Sequence, residues 1–120
     1  MSSKSFLIVS RRAPYASNHA REALDAALTA AIFEQDVAML FLSDGVYQLL
    51  NNQQPGTIGQ KNLGANLQVL PMYDIEKLYV SKRALDERSL TTDQLVVPVQ
   101  ALDDAEINTL IKQQDLVLNF

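Results

Sequence analysis

The chain has 120 residues, of which 48% are hydrophobic and 20% charged, a composition typical of a folded globular protein and not of a disordered segment. Its net charge of -4 argues against extended contact with a phosphate backbone, because such binding needs many Lys and Arg side chains. It contains no cysteine, which excludes disulfides, thiolate metal sites and any persulfide carried on this chain itself.

The length fits one domain covering residues 1–120, since a chain of this size is too small for two independent cores. No apolar run approaches the roughly 20 residues that a membrane span requires. The run at 6–9 is also too short for the apolar core of a secretory signal. We therefore expect a single cytoplasmic domain.

The N-terminal half is predicted to hold two strands and two helices. The apolar run at 6–9 indicates a first strand. A helix capped by Ser17 or Asn18 should follow, because small apolar residues then recur at helical spacing, at Ala20, Ala23, Leu24, Ala27, Leu28 and Ala31. The run at 37–42 shows no alternation, which is typical of a central strand covered on both faces. Asp44 is then expected to cap a short helix.

The middle of the chain is less regular. A helix at 57–66 would contain two glycines, each costing about 1 kcal/mol relative to alanine, so it would depend on tertiary packing. Strands are predicted at 67–70 and 78–80, separated by a turn, with a short helix at 82–88 after the second strand.

The C-terminal part begins with a strand-like segment at 95–99. Pro98 cannot donate to a strand ladder, so this segment is predicted at a sheet edge or in an extended connection. Asp103 and Glu106 have the spacing of a capping box and indicate a final helix, after which 116–118 is predicted to be a last strand. Strands alternating with helices predict an α/β fold, with a mainly parallel sheet of about five strands and helices on both faces.

Functional loops of such a sheet gather at the carboxyl ends of its strands. The polar residues expected on that rim are Arg11, Arg12, Ser43, Asp44, Ser81, Lys82 and Arg83. The four basic residues could attract an anion, a small molecule or an acidic partner. A solvated basic edge that binds nothing is the simpler interpretation.

Catalytic and cofactor sites find little support. Ser81 would need an adjacent base to act as a nucleophile, and the only histidine is His19, in the first turn of the predicted first helix. Asp44 has no acidic cluster beside it, so capping explains it better than a metal. No glycine-rich phosphate motif occurs. The tyrosines are not interleaved with basic residues, so we interpret them as packing residues; they are Tyr15, Tyr47, Tyr73 and Tyr79.

Two stretches resemble one family. They are Leu40-Phe-Leu-Ser-Asp-Gly-Val-Tyr-Gln-Leu-Leu50 and Met72-Tyr-Asp-Ile-Glu-Lys-Leu-Tyr-Val-Ser-Lys-Arg-Ala-Leu-Asp-Glu-Arg-Ser-Leu90. Both are similar to segments of the DsrE/DsrF/DsrH-like sulfur-relay proteins, and the stretch that ends at Leu90 most resembles the TusC (DsrF-like) subunit. Relatives that carry persulfide have a cysteine after the strand of that stretch, at the position of Ser81 here. Ser89 stands where relatives often have glycine.

The resemblance implies a three-layer α/β/α fold and a cytoplasmic complex. TusB-like, TusC-like and TusD-like subunits form a heterohexamer, a dimer of heterotrimers, that relays sulfur toward 2-thiolation of the wobble uridine in tRNA. A cysteine of the TusD-like partner carries the persulfide between a TusA-like donor and a TusE-like acceptor. Lacking that cysteine, this chain is expected to be a non-catalytic accessory subunit without cofactor, metal, membrane or direct nucleic-acid contact.

Two alternatives to the subunit interpretation stay open. One is a small-molecule or anion-binding module that uses the basic rim. The other is an enzyme in which His19 or Asp44 serves Ser81 as its base. For a structural subunit, the candidate interface residues are the tyrosines near Tyr73, Val46 and the terminal Phe120.

Overall fold

The protein is described from a computed structural model that covers residues 4–13, 18–50, 67–95 and 97–120. Its strands are β1 (Ser5–Ser10), β2 (Asp36–Phe41), β3 (Lys77–Ser81), β4 (Gln100–Leu102) and β5 (Leu116–Asn119). They form one sheet in the order β4-β3-β2-β1-β5, and every neighbouring pair is parallel. The predicted parallel α/β sheet and the central place of the 37–42 strand are therefore confirmed.

Within the described residues, three α-helices connect the strands: α1 (His19–Ile32), α2 (Lys82–Glu87) and α3 (Asp104–Lys112). Short 3-10 helices lie at Ser43–Leu49, Leu70–Tyr73 and Thr92–Gln94. The chain steps from β1 to β4 in one direction across the sheet and then returns through α3 to β5 on the far side. Because such crossovers are right-handed, this reversal places α3 on the opposite face from α1 and α2.

Each face of the sheet has its own apolar core. On one side α1 and α2 cover Ile8, Met39 and Phe41. On the other side Ile107 of α3 packs against inward side chains that include Leu7. The buried stripe of α1 is mostly alanine, as predicted, which lets the helix lie close to the sheet. Three layers result, with β2 buried on both sides.

One strand prediction is wrong, and of the two alternatives for another segment one is confirmed. Residues 67–70 are not a strand: Leu67 and Leu70 are both fully buried at the start of a helical turn that continues through Pro71. Their spacing of three suits a helical turn as well as a strand end, and Pro71 favours the turn. Among the described residues of the segment at 95–99, Leu95 makes an isolated antiparallel bridge with Leu50, and the edge strand β4 begins after the segment, at Gln100. The segment is therefore a connection that leads to the sheet edge, one of the two places predicted for it.

Helix starts agree only in part with expectation. The capping box before α3 is confirmed: Glu106 N–H donates to Asp103 Oδ1 at 2.8 Å, and Asp103 N–H donates to Glu106 Oε1 at 3.0 Å. Asn18 occupies the N-cap of α1, but its side chain makes no capping bond. The alternative cap Ser17, Tyr15 and the predicted helix at 57–66 lie outside the described residues.

The C-terminus of α2 has a residue in a left-handed conformation. Ser89 has φ 54, and the N–H of Leu90 donates to Leu85 O at 2.9 Å while that of Ser89 donates to Asp86 O at 3.2 Å. This is the Schellman arrangement, in which glycine is preferred because it has no Cβ. We expect Ser89→Gly to raise the free energy of unfolding by about 1 kcal/mol, measured by urea denaturation. Ser89→Ala is the matched control, and equal stabilities of the two variants would contradict this account.

Asp115 joins the starts of β5 and β1. Its Oδ2 accepts from Ser5 N–H at 2.8 Å and from Ser5 Oγ at 3.2 Å, and these bonds, with the charge of Lys4, hold the pKa of Asp115 below its ordinary value of 3.8. A carboxyl with a lowered pKa stabilises the fold above its unfolded pKa, and this contribution is lost as the pH falls through the folded pKa. We expect Asp115→Asn to be less stable than wild type at pH 7, with the difference shrinking below pH 3.8. A pH-independent difference in urea denaturation would count against this.

Candidate functional site

A cleft of about 430 Å³ opens at the carboxyl edge of the sheet, above the ends of β1, β2 and β3. Its walls are Arg11, Leu42, Ser43, Ser81, Arg83, Ala84, Glu87, Asp104, Ile107 and Asn108. Four of the predicted rim residues therefore meet there. Arg12, Asp44 and Lys82 do not line this cleft, and Lys82 faces a smaller neighbouring cleft with Asp86 and Asp103.

The charges around the cleft are mixed. Arg83 forms an ion pair with Asp104, and Arg11 donates to Asn119 Oδ1 at 3.4 Å. The carboxylate of Glu87 also lines the wall. The predicted basic rim is thus accompanied by acidic groups from α2 and α3, which offset part of its positive charge.

Ser81 ends β3 and is the N-cap of α2. Its Oγ accepts from Ala84 N–H at 3.1 Å, and the residue is only 6% exposed. Among the described residues its hydroxyl has no bond to His19 or Asp44, and the Asp44 carboxylate instead binds Arg88. Ser81, which was predicted to match the family cysteine, therefore carries a buried capping hydroxyl, and among the described residues no basic side chain is hydrogen-bonded to it.

Replacing Ser81 tests this capping role. We expect Ser81→Ala to lower the free energy of unfolding by about 1 kcal/mol, because Ala84 N–H then loses its acceptor at the first turn of α2. Ser81→Thr keeps a hydroxyl at the cap and should lose less. Urea denaturation of both variants gives the comparison, and equal losses would show that the hydroxyl bond contributes little.

Asp44 does not cap the helix that follows β2, so that prediction is wrong. The 3-10 helix Ser43–Leu49 begins one residue earlier, and its N-cap is Leu42, with no side-chain capping bond. Ser43 has φ 50, which turns the chain sharply after β2. Asp44 is left exposed in the first turn, where its Oδ1 accepts from Arg88 Nη2 at 2.9 Å.

Arg88 was not recognised from the sequence, yet it joins the two motif stretches. Besides its bonds to Asp44, its Nη1 donates to Ala84 O at 3.1 Å, and its guanidinium lies 5.8 Å from the centre of the Tyr47 ring. Only 18% of its side chain is exposed. Arg88 therefore fastens the end of α2 to the turn after β2. The only sequence signal was that Arg88 and Asp44 each fall within one of the two stretches.

Gly45 and Gln48 fix the same turn to the end of β1. A Cβ on Gly45 would lie 2.1 Å from Ser10 O, so only glycine fits. Gln48 is 1% exposed, and its Nε2 donates to Ser10 Oγ at 2.6 Å and to Arg12 O at 2.9 Å. Val46 is fully buried, so it cannot offer interface surface as expected.

Within the ranges that the structure describes, no group of His, Asp or Glu side chains is arranged to hold a metal ion. Over the same ranges, no helix combines the length and apolarity that a membrane crossing requires.

These features define a small parallel α/β protein whose carboxyl-edge turns are interlocked and whose cleft contains no thiol. The model of the DsrE/DsrF-like family matches residues 4–120, and the chain belongs to that family. It is 47% identical over 116 residues to "Protein TusC homolog" of Pseudomonas aeruginosa, covering 97% of this chain and 98% of the relative. It is 37% identical over 131 residues to "Intracellular sulfur oxidation protein DsrF" of Allochromatium vinosum, covering 98% and 96%.

The fold is shared with a solved structure. The crystal structure of the ychN protein from E. coli superposes with a TM-score of 0.85 at 26% identity, covering 99% of this chain and 100% of that one. The resemblance inferred from residues 40–50 and 72–90 is thus confirmed. Membership in a sulfur-relay family follows from these relatives.

Proposed function

We propose that this chain is a non-catalytic structural subunit of a cytoplasmic TusBCD-like sulfur-relay complex that supports 2-thiolation of the tRNA wobble uridine. In this proposal its neighbours are TusB-like and TusD-like chains in a dimer of heterotrimers. The sulfur travels on a cysteine of the TusD-like partner, between a TusA-like donor and a TusE-like acceptor. The proposal is supported by relatives named TusC homolog and DsrF.

One observation carries the non-catalytic part of the proposal. The position that matches the sulfur-carrying cysteine is Ser81, whose hydroxyl is buried and accepts from Ala84 N–H. Persulfide relay requires a thiolate that attacks sulfur, and a hydroxyl cannot hold sulfur in a transferable form. With no cysteine anywhere in the sequence, the contribution of this chain is shape and association.

The geometry supports this proposal better than either alternative. Anion binding was predicted to use Arg11, Arg12, Lys82 and Arg83; of these, Arg83 pairs with Asp104, and Glu87 also lines the cleft. A serine enzyme would need a base beside Ser81, and its hydroxyl is used for capping. A structural subunit needs only a rigid scaffold, which the interlocked turns after β1, β2 and β3 supply.

Co-expression is the test. The chain, produced with TusB-like and TusD-like chains from the same genome, should elute as one complex whose mass by light scattering matches two copies of each subunit. After loading with a persulfide donor, mass spectrometry should find the extra sulfur on the TusD-like chain and none on this one. Elution of this chain as a separate species, or sulfane sulfur covalently attached to it, would refute the proposal.

A further inference from the structure

Four large apolar side chains are strongly exposed at the edge of the sheet opposite the cleft. They are Ile32 at 64%, Phe33 at 70%, Met72 at 82% and Tyr73 at 43% exposure, and we name them the amino-edge patch. Ile32 and Phe33 end α1, which runs back to the amino end of β2. Met72 and Tyr73 lie on the turn that precedes β3, and this turn packs against α1. The patch therefore combines two segments at one edge.

Both segments of the patch are held by closed turns. After Phe33, Glu34 has φ 62, and the N–H of Gln35 donates to Ala30 O at 3.2 Å. After Tyr73, Asp74 has φ 63, and the N–H of Ile75 donates to Leu70 O at 3.1 Å. The backbone under the apolar side chains is thus ordered before any partner arrives, which lowers the entropy cost of association.

Most of the charges beside the patch are acidic. Glu34 follows Phe33, and Asp74 and Glu76 follow Tyr73; all three are exposed. None of the ion pairs found among the described residues involves these three carboxylates. Two lysines lie at the same edge. Lys77 is engaged, since its Nζ lies 2.9 Å from Asp36 Oδ2, and Lys4, whose N–H donates to Gln35 Oε1 at 2.9 Å, acts on Asp115 through its charge. An apolar surface flanked by exposed carboxylates suits a partner of opposite charge.

We infer that the amino-edge patch is the docking surface for a neighbouring protein subunit that presents apolar side chains flanked by Lys and Arg. Phe, Met and Tyr are residue types enriched in the buried centres of interfaces, and a cluster of exposed large apolar residues marks an interaction site more often than chance. This inference rests on the proposed function, because the occupant is a subunit of the same complex. It assigns association to the amino edge and leaves the cleft at the carboxyl edge open.

The test compares variants in the complex with TusB-like and TusD-like chains. The apolar variant is Phe33→Ser with Met72→Ser, and its control is Leu116→Ser, an exposed leucine at the amino end of the outer strand β5, on the far side of β1 from β2 and β3. The acidic variant is Glu34→Gln, Asp74→Asn and Glu76→Gln, and its matched control, which also removes three charges, is Glu22→Gln, Asp25→Asn and Asp86→Asn. All the replaced side chains are exposed, so thermal melts should show each variant folded.

We expect the apolar variant to bind the TusB-like and TusD-like chains at least tenfold more weakly than wild type in isothermal titration calorimetry. The acidic variant should weaken it severalfold and reduce its dependence on salt, while both controls bind as wild type. If wild type assembles and both patch variants assemble equally well, the patch assignment is wrong and the proposed function stands. If wild type forms no complex, the patch assignment and the proposed function are both wrong. A homodimer of the isolated chain that only the apolar variant abolishes would assign the patch to a second copy and overturn this inference.

Discussion

Gly45→Ala should lower the free energy of unfolding by about 3 kcal/mol, at the upper end of the usual cost of overpacking. A Cβ at this position would lie 2.1 Å from Ser10 O and 2.9 Å from Ser10 C. Both are backbone atoms at the end of a central strand, so no side-chain rotation relieves the clash. The same oxygen accepts from Leu42 N–H at 3.0 Å, which further restricts its movement.

The loss should be measured by urea denaturation, and it is large against the roughly 5–15 kcal/mol by which native proteins are stable. Asp44→Asn is the control, because it alters the adjacent exposed residue of the same turn without adding bulk. We expect that variant to lose no more than about 1 kcal/mol, the value typical of an exposed ion pair. A Gly45→Ala protein as stable as the control would show that the turn does not approach β1 this closely.

Gln48→Met should lower the free energy of unfolding by about 2 kcal/mol. The substitution keeps a long unbranched side chain but removes the donor of two short bonds, to Ser10 Oγ at 2.6 Å and to Arg12 O at 2.9 Å. Ser10 is fully buried, and a buried polar group that loses its partner costs about 1–3 kcal/mol. Packing volume alone does not explain such a loss, because Met and Gln are similar in size.

A double-mutant cycle separates the hydrogen bond from the packing. Ser10→Ala removes the acceptor, so Gln48→Met should cost about 1 kcal/mol less in that background. Free energies from urea denaturation of the four proteins give the coupling. Additive losses would mean that the bond between Gln48 and Ser10 contributes nothing to stability.

Much of the architecture could be predicted because it is encoded locally. The unbroken apolar run of β2, the alanine stripe of α1 and the capping box of Asp103 and Glu106 each depend on residues within a few positions of one another. The segment at 67–70 could not be placed in the same way, because a short, mostly apolar run before a proline suits a strand or a helical turn equally. The packing of Leu67 and Leu70 in the core decided between them.

The candidate site shows the same division. The polar residues at strand ends could be named from the sequence, and Arg11, Ser43, Ser81 and Arg83 do meet in one cleft. The residues that pair with them could not be named from the sequence. Arg88 binds Asp44 across 44 positions of sequence, and Arg83 binds Asp104, which follows a different strand. For this reason the sequence did not show that Arg83 of the predicted basic rim is paired with Asp104. It also did not show that Asp44, predicted to cap a helix, is paired with Arg88.

The amino-acid sequence alone establishes that the chain carries no thiol, because the presence of cysteine is a matter of composition and no folding can supply one. It also establishes the alternation of strands and helices, since hydrophobic periodicity is local. The folded structure was needed to show which charges neutralise each other, that Val46 is buried and that Ile32, Phe33, Met72 and Tyr73 are exposed at one edge. Burial and charge pairing depend on segments that are distant in sequence and become neighbours only when the sheet forms.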